Sequence, residues 1–296
     1  MKYLNYILTL VLSLALLVSC GSNKKKKNET SETFNIEDYI EAAETIDPTI
    51  NNVEQIFDIL DMVNAEYYDV LTNDPYRAHN YETTYPVAAA NLGVYMVDIL
   101  YHFYGEADDP MYLTFQAAQE LAKYIGVDSE FGVWTLEKLE GTDLQRDTIT
   151  RMFNNLLKES EHYNSEKEMI FIHTAFLTGS FVEKVHITGN LLESKLEAKD
   201  MTQEDEGDIR ELLVIFLNQL NPSTSVLYDA FVRQQDQLKG LIVLNTFERL
   251  KDLSNLLIEL KPTLVVAPIS DIATNQELKN AFDLIENLRG VLVTPQ

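Results

Sequence analysis

The chain has 296 residues, enough for one large domain or two small ones. Its 46% apolar and 24% charged residues are ordinary for a globular protein and exclude a wholly disordered chain, a collagen-like chain and a disulfide-stapled miniprotein. The charge is less ordinary: 23 Lys+Arg against 47 Asp+Glu gives −24, which argues against nucleic acid as a partner because such a chain repels phosphate backbones.

Residues 1–19 read as an export signal. Lys2 supplies a positive start, and Ile7 to Val18 form an apolar run broken only by Thr9 and Ser13. About 12 residues are too few for a permanent crossing of a ~30 Å hydrocarbon core. The run ends in Leu17-Val18-Ser19-Cys20, and Cys20 is the only cysteine. No intramolecular disulfide can form, and no cysteine is left for a metal or a nucleophile. The segment resembles the lipobox of bacterial lipoproteins, with Leu17, Ser19 and Cys20 in register. That resemblance implies cleavage before Cys20, a diacylglycerol thioether on its sulfur and an N-acyl group on its new amine. It also implies a place in the bacterial envelope, held to a bilayer by two or three chains. The residue after the cysteine is Gly21, not the Asp that retains such proteins at the inner membrane, and a basic run follows instead of an acidic one. By the same resemblance this favours the outer membrane, facing the periplasm. Loss of residues 1–19 removes Lys2 and no acid, leaving −25.

From Cys20 to about residue 34 the sequence is polar, without periodicity, and reads as a lipidated tether. Lys24 to Lys27 lie within reach of lipid headgroups, or simply keep the tether extended.

Residues 35–296 carry a helical period. Ile50, Val53, Ile56, Phe57, Leu60, Val63, Tyr67, Val70 and Leu71 predict one helix, stopped by Asn73-Asp74-Pro75. Pro86 opens a helix that ends at Gly105, and Asp109-Pro110 opens another that Gly126 closes. Thr142 is expected to cap a further helix. Ser165 to Glu168 form a capping box before Met169, which starts a long apolar helix reaching Thr188. Residues 198–208, with the acidic Gln203 to Asp208, read as a loop and a possible sub-boundary. Helices are then predicted at Ile209 to Leu220, Ser223 to Gln237, Leu241 to Leu260 and Gln276 to Val291, with Lys261 to Pro268 as a Pro-bounded apolar loop. The class is all-α: an antiparallel multi-helix bundle of about ten helices around two central apolar ones, Pro86–Tyr104 and Met169–Thr188. The segments Asn91 to Asp98 and Leu177 to Glu183 share a loose pattern of Gly, aromatic and acid. They resemble helical envelope lipoproteins of Bacteroidota type, a resemblance that implies no activity.

Two clusters carry candidate chemistry. Asn91, Tyr95, Asp98 and His102 share one helix face, as do Phe176, Gly179, Glu183 and His186. If the faces meet, Asp98, His102, Glu183 and His186 converge in an apolar surround, where they could bind a metal or do acid–base work. Packed helices also bury such residues as satisfied hydrogen-bond networks. The second cluster is aromatic: ten of the fifteen tyrosines fall between Tyr67 and Tyr124. Tyr76, Tyr81 and Tyr85 could line a groove for a peptide, glycan or envelope protein, or cap helix seams. Glu159 and His162 repeat the Glu-x-x-His spacing of Glu183 and His186, in a solvated stretch where the match reads as chance. No zincin motif, nucleophile elbow or P-loop occurs, and no cofactor beyond the lipid at Cys20 is expected. The expectation is a lipid-anchored binding or scaffold protein. The alternative is a metal-assisted or acid–base hydrolase.

Overall fold

Every regular element is helical among the residues that the computed structural model describes: 54–62, 64–128, 146–151, 153–155, 170–198, 201–238, 241 and 243–294. They lie in the compact unit Ala42–Gln296. The signal, the tether, Cys20, the Thr142 and Ser165 caps and the Glu159 to His162 stretch fall outside the described residues.

Helix α1, Glu54–Met62, ends sooner than its apolar stripe predicts. Asn64 takes a left-handed conformation (φ 43°), and the Ala65 amide reaches back to the Leu60 carbonyl, a Schellman-type stop. Tyr67, Val70 and Leu71 therefore leave the helix. They belong to an irregular segment with two 3-10 stretches, Asp69–Leu71 and Pro75–Tyr81. Helix α2, Tyr85–Tyr104, starts on the Thr84 side chain and ends at Gly105. Helix α3, Asp108–Ile125, takes Ala107 as its N-cap position, two residues ahead of the expected Asp109 cap. It closes on Gly126 at φ 84°, where a side chain would be strained. Residues 146–151 and 153–155 are also helical.

Helix α4 spans Ile170–Glu197 and α5 spans Gln203–Leu220. The acidic run expected as a loop is the first turn of α5. Thr202 caps it in a reciprocal box with Asp205, and the clustered acids complement the positive end of the helix. Helix α6 is Ser223–Arg233. Helix α7, Leu244–Leu264, runs through Pro262, so the expected Pro-bounded loop is partly helix. Arg210 holds the chain beyond that end by donating to the Val265 and Ala267 carbonyls at 2.6 and 2.9 Å. A short α8, Ile269–Ala273, had no sequence signal, and α9 spans Gln276–Val293.

The pairs α2–α3, α4–α5 and α6–α7 run antiparallel. Tyr85 meets Tyr124 at one end of α2–α3, and His102 meets Thr114 at the other. Asp208 pairs with Lys195 across α4–α5, while Phe216 lies against Gly189. Phe247 stacks on Phe231 and Lys251 pairs with Asp229 across α6–α7.

The two central helices are α2 and α4, as the apolar runs predict. From Pro86 to His102 every residue of α2 is buried, as is α4 from Ile172 to Gly189. They run parallel, with Ala90 beside Gly179, Gly93 beside Ser180 and Asp98 beside Glu183. Glycine permits this approach. A Cβ on Gly179 would overlap the Ala90 carbonyl, and one on Gly93 would overlap the Phe176 carbonyl. At that separation Ser180 Oγ reaches the Gly93 carbonyl at 3.3 Å.

Candidate functional site

The α2–α4 crossing places two carboxyl groups in the dry centre. Asp98 comes from α2 and Glu183 from α4, and both are 0% exposed. Two adjacent carboxylates cannot both ionise in such a medium. The surroundings decide which one keeps the proton. Arg289 of α9 grips Glu183 from both sides, Nε at 2.8 Å from Oε2 and Nη2 at 2.9 Å from Oε1. That bidentate fork marks Glu183 as the ionised member. Asp98 Oδ2 accepts the Asn73 backbone amide at 3.0 Å. Asp98 Oδ1 receives no donor from the protein and faces Glu183, so this oxygen carries the proton and donates it. Burial first, then the charge of Glu183, holds the Asp98 carboxyl well above the usual carboxylate range. Burial alone would lower Arg289, but the charge of Glu183 and its hydrogen bonds outweigh it and raise it further.

The network continues outward from this centre. Arg289 Nη2 donates to the Leu71 carbonyl at 3.0 Å. Asn73 Nδ2 meets the Tyr81 hydroxyl, which donates to the Val293 carbonyl at 2.8 Å. Asn91 Nδ2 donates to the Leu292 carbonyl at 2.9 Å and to Val87 of its own helix. Tyr95 donates to the Asp74 carbonyl. The last turn of a helix leaves carbonyls without intrahelical partners. Here Asn91 and Tyr81 satisfy those of α9. The cluster thus joins the segment 71–81 and the end of α9 to the central pair.

The expected four-residue site does not assemble. Asp98 and Glu183 do meet, but both imidazoles turn elsewhere. His102 lies between α2 and α3, with Nδ1 2.8 Å from the Tyr67 hydroxyl and Nε2 3.1 Å from Thr114. Since Tyr67 gives its own proton to Asp69, the network assigns the His102 hydrogen to Nδ1. Burial lowers its pKa to about 4. His186 bonds through Nδ1 to Glu286 of α9, near Asn190, and its Nε2 is enclosed without a protein partner. Among the described residues no group of three or more His, Cys, Asp or Glu side chains is placed to hold a metal.

The aromatic groove does not form from the named residues either. Tyr81 is 0% exposed and belongs to the core. Tyr76 is exposed, and Tyr85 packs edge-on against Tyr124 of α3. Tyrosine here bridges helix seams, its ring apolar and its hydroxyl bonded.

Arg289, Asn73 and Glu286 supply the remaining polar partners, and none of them belongs to a sequence motif. Arg289 had a readable signal. It continues the stripe of Leu278, Phe282, Ile285 and Leu292 in α9, a register where a charge needs a buried partner.

No family model matches the chain, and neither a curated protein nor a solved structure matches it. No helix among the described residues is long and apolar enough to cross a membrane.

Proposed function

We propose that this chain is a lipid-anchored binding or scaffold protein of the bacterial envelope, tethered through Cys20 and facing the periplasm from the outer membrane. The observation that carries the non-catalytic part is the use of the polar centre. Asp98 and Glu183 are enclosed, and Asn91, Asn73, Tyr81 and Arg289 are engaged in joining helices. A catalytic group must reach its substrate, and these groups face one another. The anchor rests on the lipobox and its solitary cysteine. The hydrolase reading has less support, because His102 and His186 are bonded away from the carboxylates.

Detergent phase partition of the natively expressed protein, with mass spectrometry of its N-terminus, tests the anchor. The wild type should enter detergent with residues 1–19 removed and Cys20 acylated, and Cys20→Ser should carry no acyl group. An intact Lys2 or a free thiol at Cys20 overturns the reading. Crosslinking in intact envelopes tests the binding role: a specific partner is expected, and none at all counts against it.

A further inference from the structure

Helices α7 and α9 leave a groove of about 530 Å³ between them. Leu253, Leu256 and Leu284 give it apolar lining, and Leu256 is 41% exposed. Arg249, Asp252 and Asp283 also line it. Among the described residues, neither Asp252 nor Asp283 has a cation within ion-pair distance. Two acids against one Arg leave the lining net negative, and acids continue past it: Asp283 also faces Glu193 of α4, beside Glu197 and Glu286. Burial and these three like charges push the Glu193 carboxyl above its ordinary value, while Lys279 opposes them. The carboxylates are spread along the helices and do not converge on a metal. Spread charge beside an apolar trough is complementary to a chain bearing cations at intervals, with apolar side chains between them.

We propose that the α7–α9 groove is the docking site for a basic amphipathic segment of a partner protein. Its apolar side chains sit on Leu253, Leu256 and Leu284, and its Lys or Arg side chains meet Asp252 and Asp283. This rests on the binding-protein reading and gives it a surface and a partner chemistry.

The test uses the mature chain from residue 20 carrying Cys20→Ser, which has neither the lipid nor the apolar run of residues 7–18 and needs no detergent. The probe is a fluorescent Lys/Leu amphipathic peptide of about 14 residues, roughly 21 Å when helical, with a Glu/Leu peptide as counterpart. Anisotropy should show binding of the basic peptide only. Asp252→Asn with Asp283→Asn should weaken it at least tenfold, and Leu256→Asn at least fivefold with no change in charge. A control, Asp109→Asn with Glu120→Gln on exposed positions of α3, removes the same charge and should change binding less than twofold. Circular dichroism confirms that each variant is folded. Equal weakening by the two double variants would mean diffuse attraction to an acidic protein and overturns the groove. So does an unchanged Leu256→Asn, or no binding of the basic peptide. The assay contains neither lipid nor envelope, so its failure is separate from failure of the anchor or of crosslinking.

Discussion

At the scale of single residues, the buried carboxyl pair behaves asymmetrically, and substitutions expose it. Asp98 already acts as a neutral donor toward Glu183, a role an amide can fill. Asp98→Asn should therefore be neutral or stabilising, by up to about 1 kcal/mol at pH 7, in urea unfolding followed by circular dichroism. Glu183→Gln leaves Arg289 buried without its counter-ion and should cost about 3–5 kcal/mol. The pH dependence follows from the same proton. Unfolded, Asp98 titrates near the ordinary carboxylate value of 3.8; folded, it keeps its proton well above that. Above the unfolded value the native state binds more protons, so this residue's contribution to stability falls as pH rises through that window. Asp98→Asn should remove that slope. His102 and His173 act in the opposite direction. Burial lowers both to about 4, against 6.5 for the unfolded ring. Their contribution is present above 6.5 and is lost as pH falls toward 4. Nuclear magnetic resonance should find both rings neutral at pH 5 in the folded protein.

At the scale of helices, glycine separates two situations. Gly93 and Gly179 sit where the backbones of α2 and α4 touch, so an added methyl must push against a carbonyl. Gly179→Ala should destabilise by about 3 kcal/mol, at the upper end of overpacking costs, because backbone cannot yield as a flexible side chain does. Gly207 of α5 and Gly290 of α9 have nothing within 4 Å of an added Cβ. There Gly→Ala should stabilise by about 0.5–1 kcal/mol through helix propensity alone. Thermal and urea unfolding of the set reads out the contrast. Removing the α5 cap, Thr202→Ala, should cost about 1 kcal/mol.

For the molecule as a whole, the surplus of acid is the dominant long-range fact. A formal charge of −24 opposes compaction through self-repulsion. Added salt shortens the Debye length to about 10 Å at 0.1 M. Thermal stability should therefore rise from low ionic strength to about 0.5 M sodium chloride. The rise should be similar in Asp98→Asn, whose proton is already held in the fold. A fall in stability with salt would mean that surface ion pairs outweigh the repulsion.

The all-α class, the two central helices and several helix ends were legible in the sequence, because periodicity, caps and terminal glycines act within a few residues. Pro86 and Gly126 are examples. Local signals failed where a competing local conformation won, as at Asn64, or where a distant contact intervened, as where Arg210 secures the chain after Pro262. The apposition of Asp98 and Glu183 was open to argument from shared helix faces. The partner that settles their charge was not, since Arg289 lies 106 residues from Glu183 in the chain. Which buried acid meets which cation, and which way an imidazole turns, depends on how the helices pack. Only the folded arrangement decides those choices, because desolvation makes a buried charge depend on whichever neighbour reaches it.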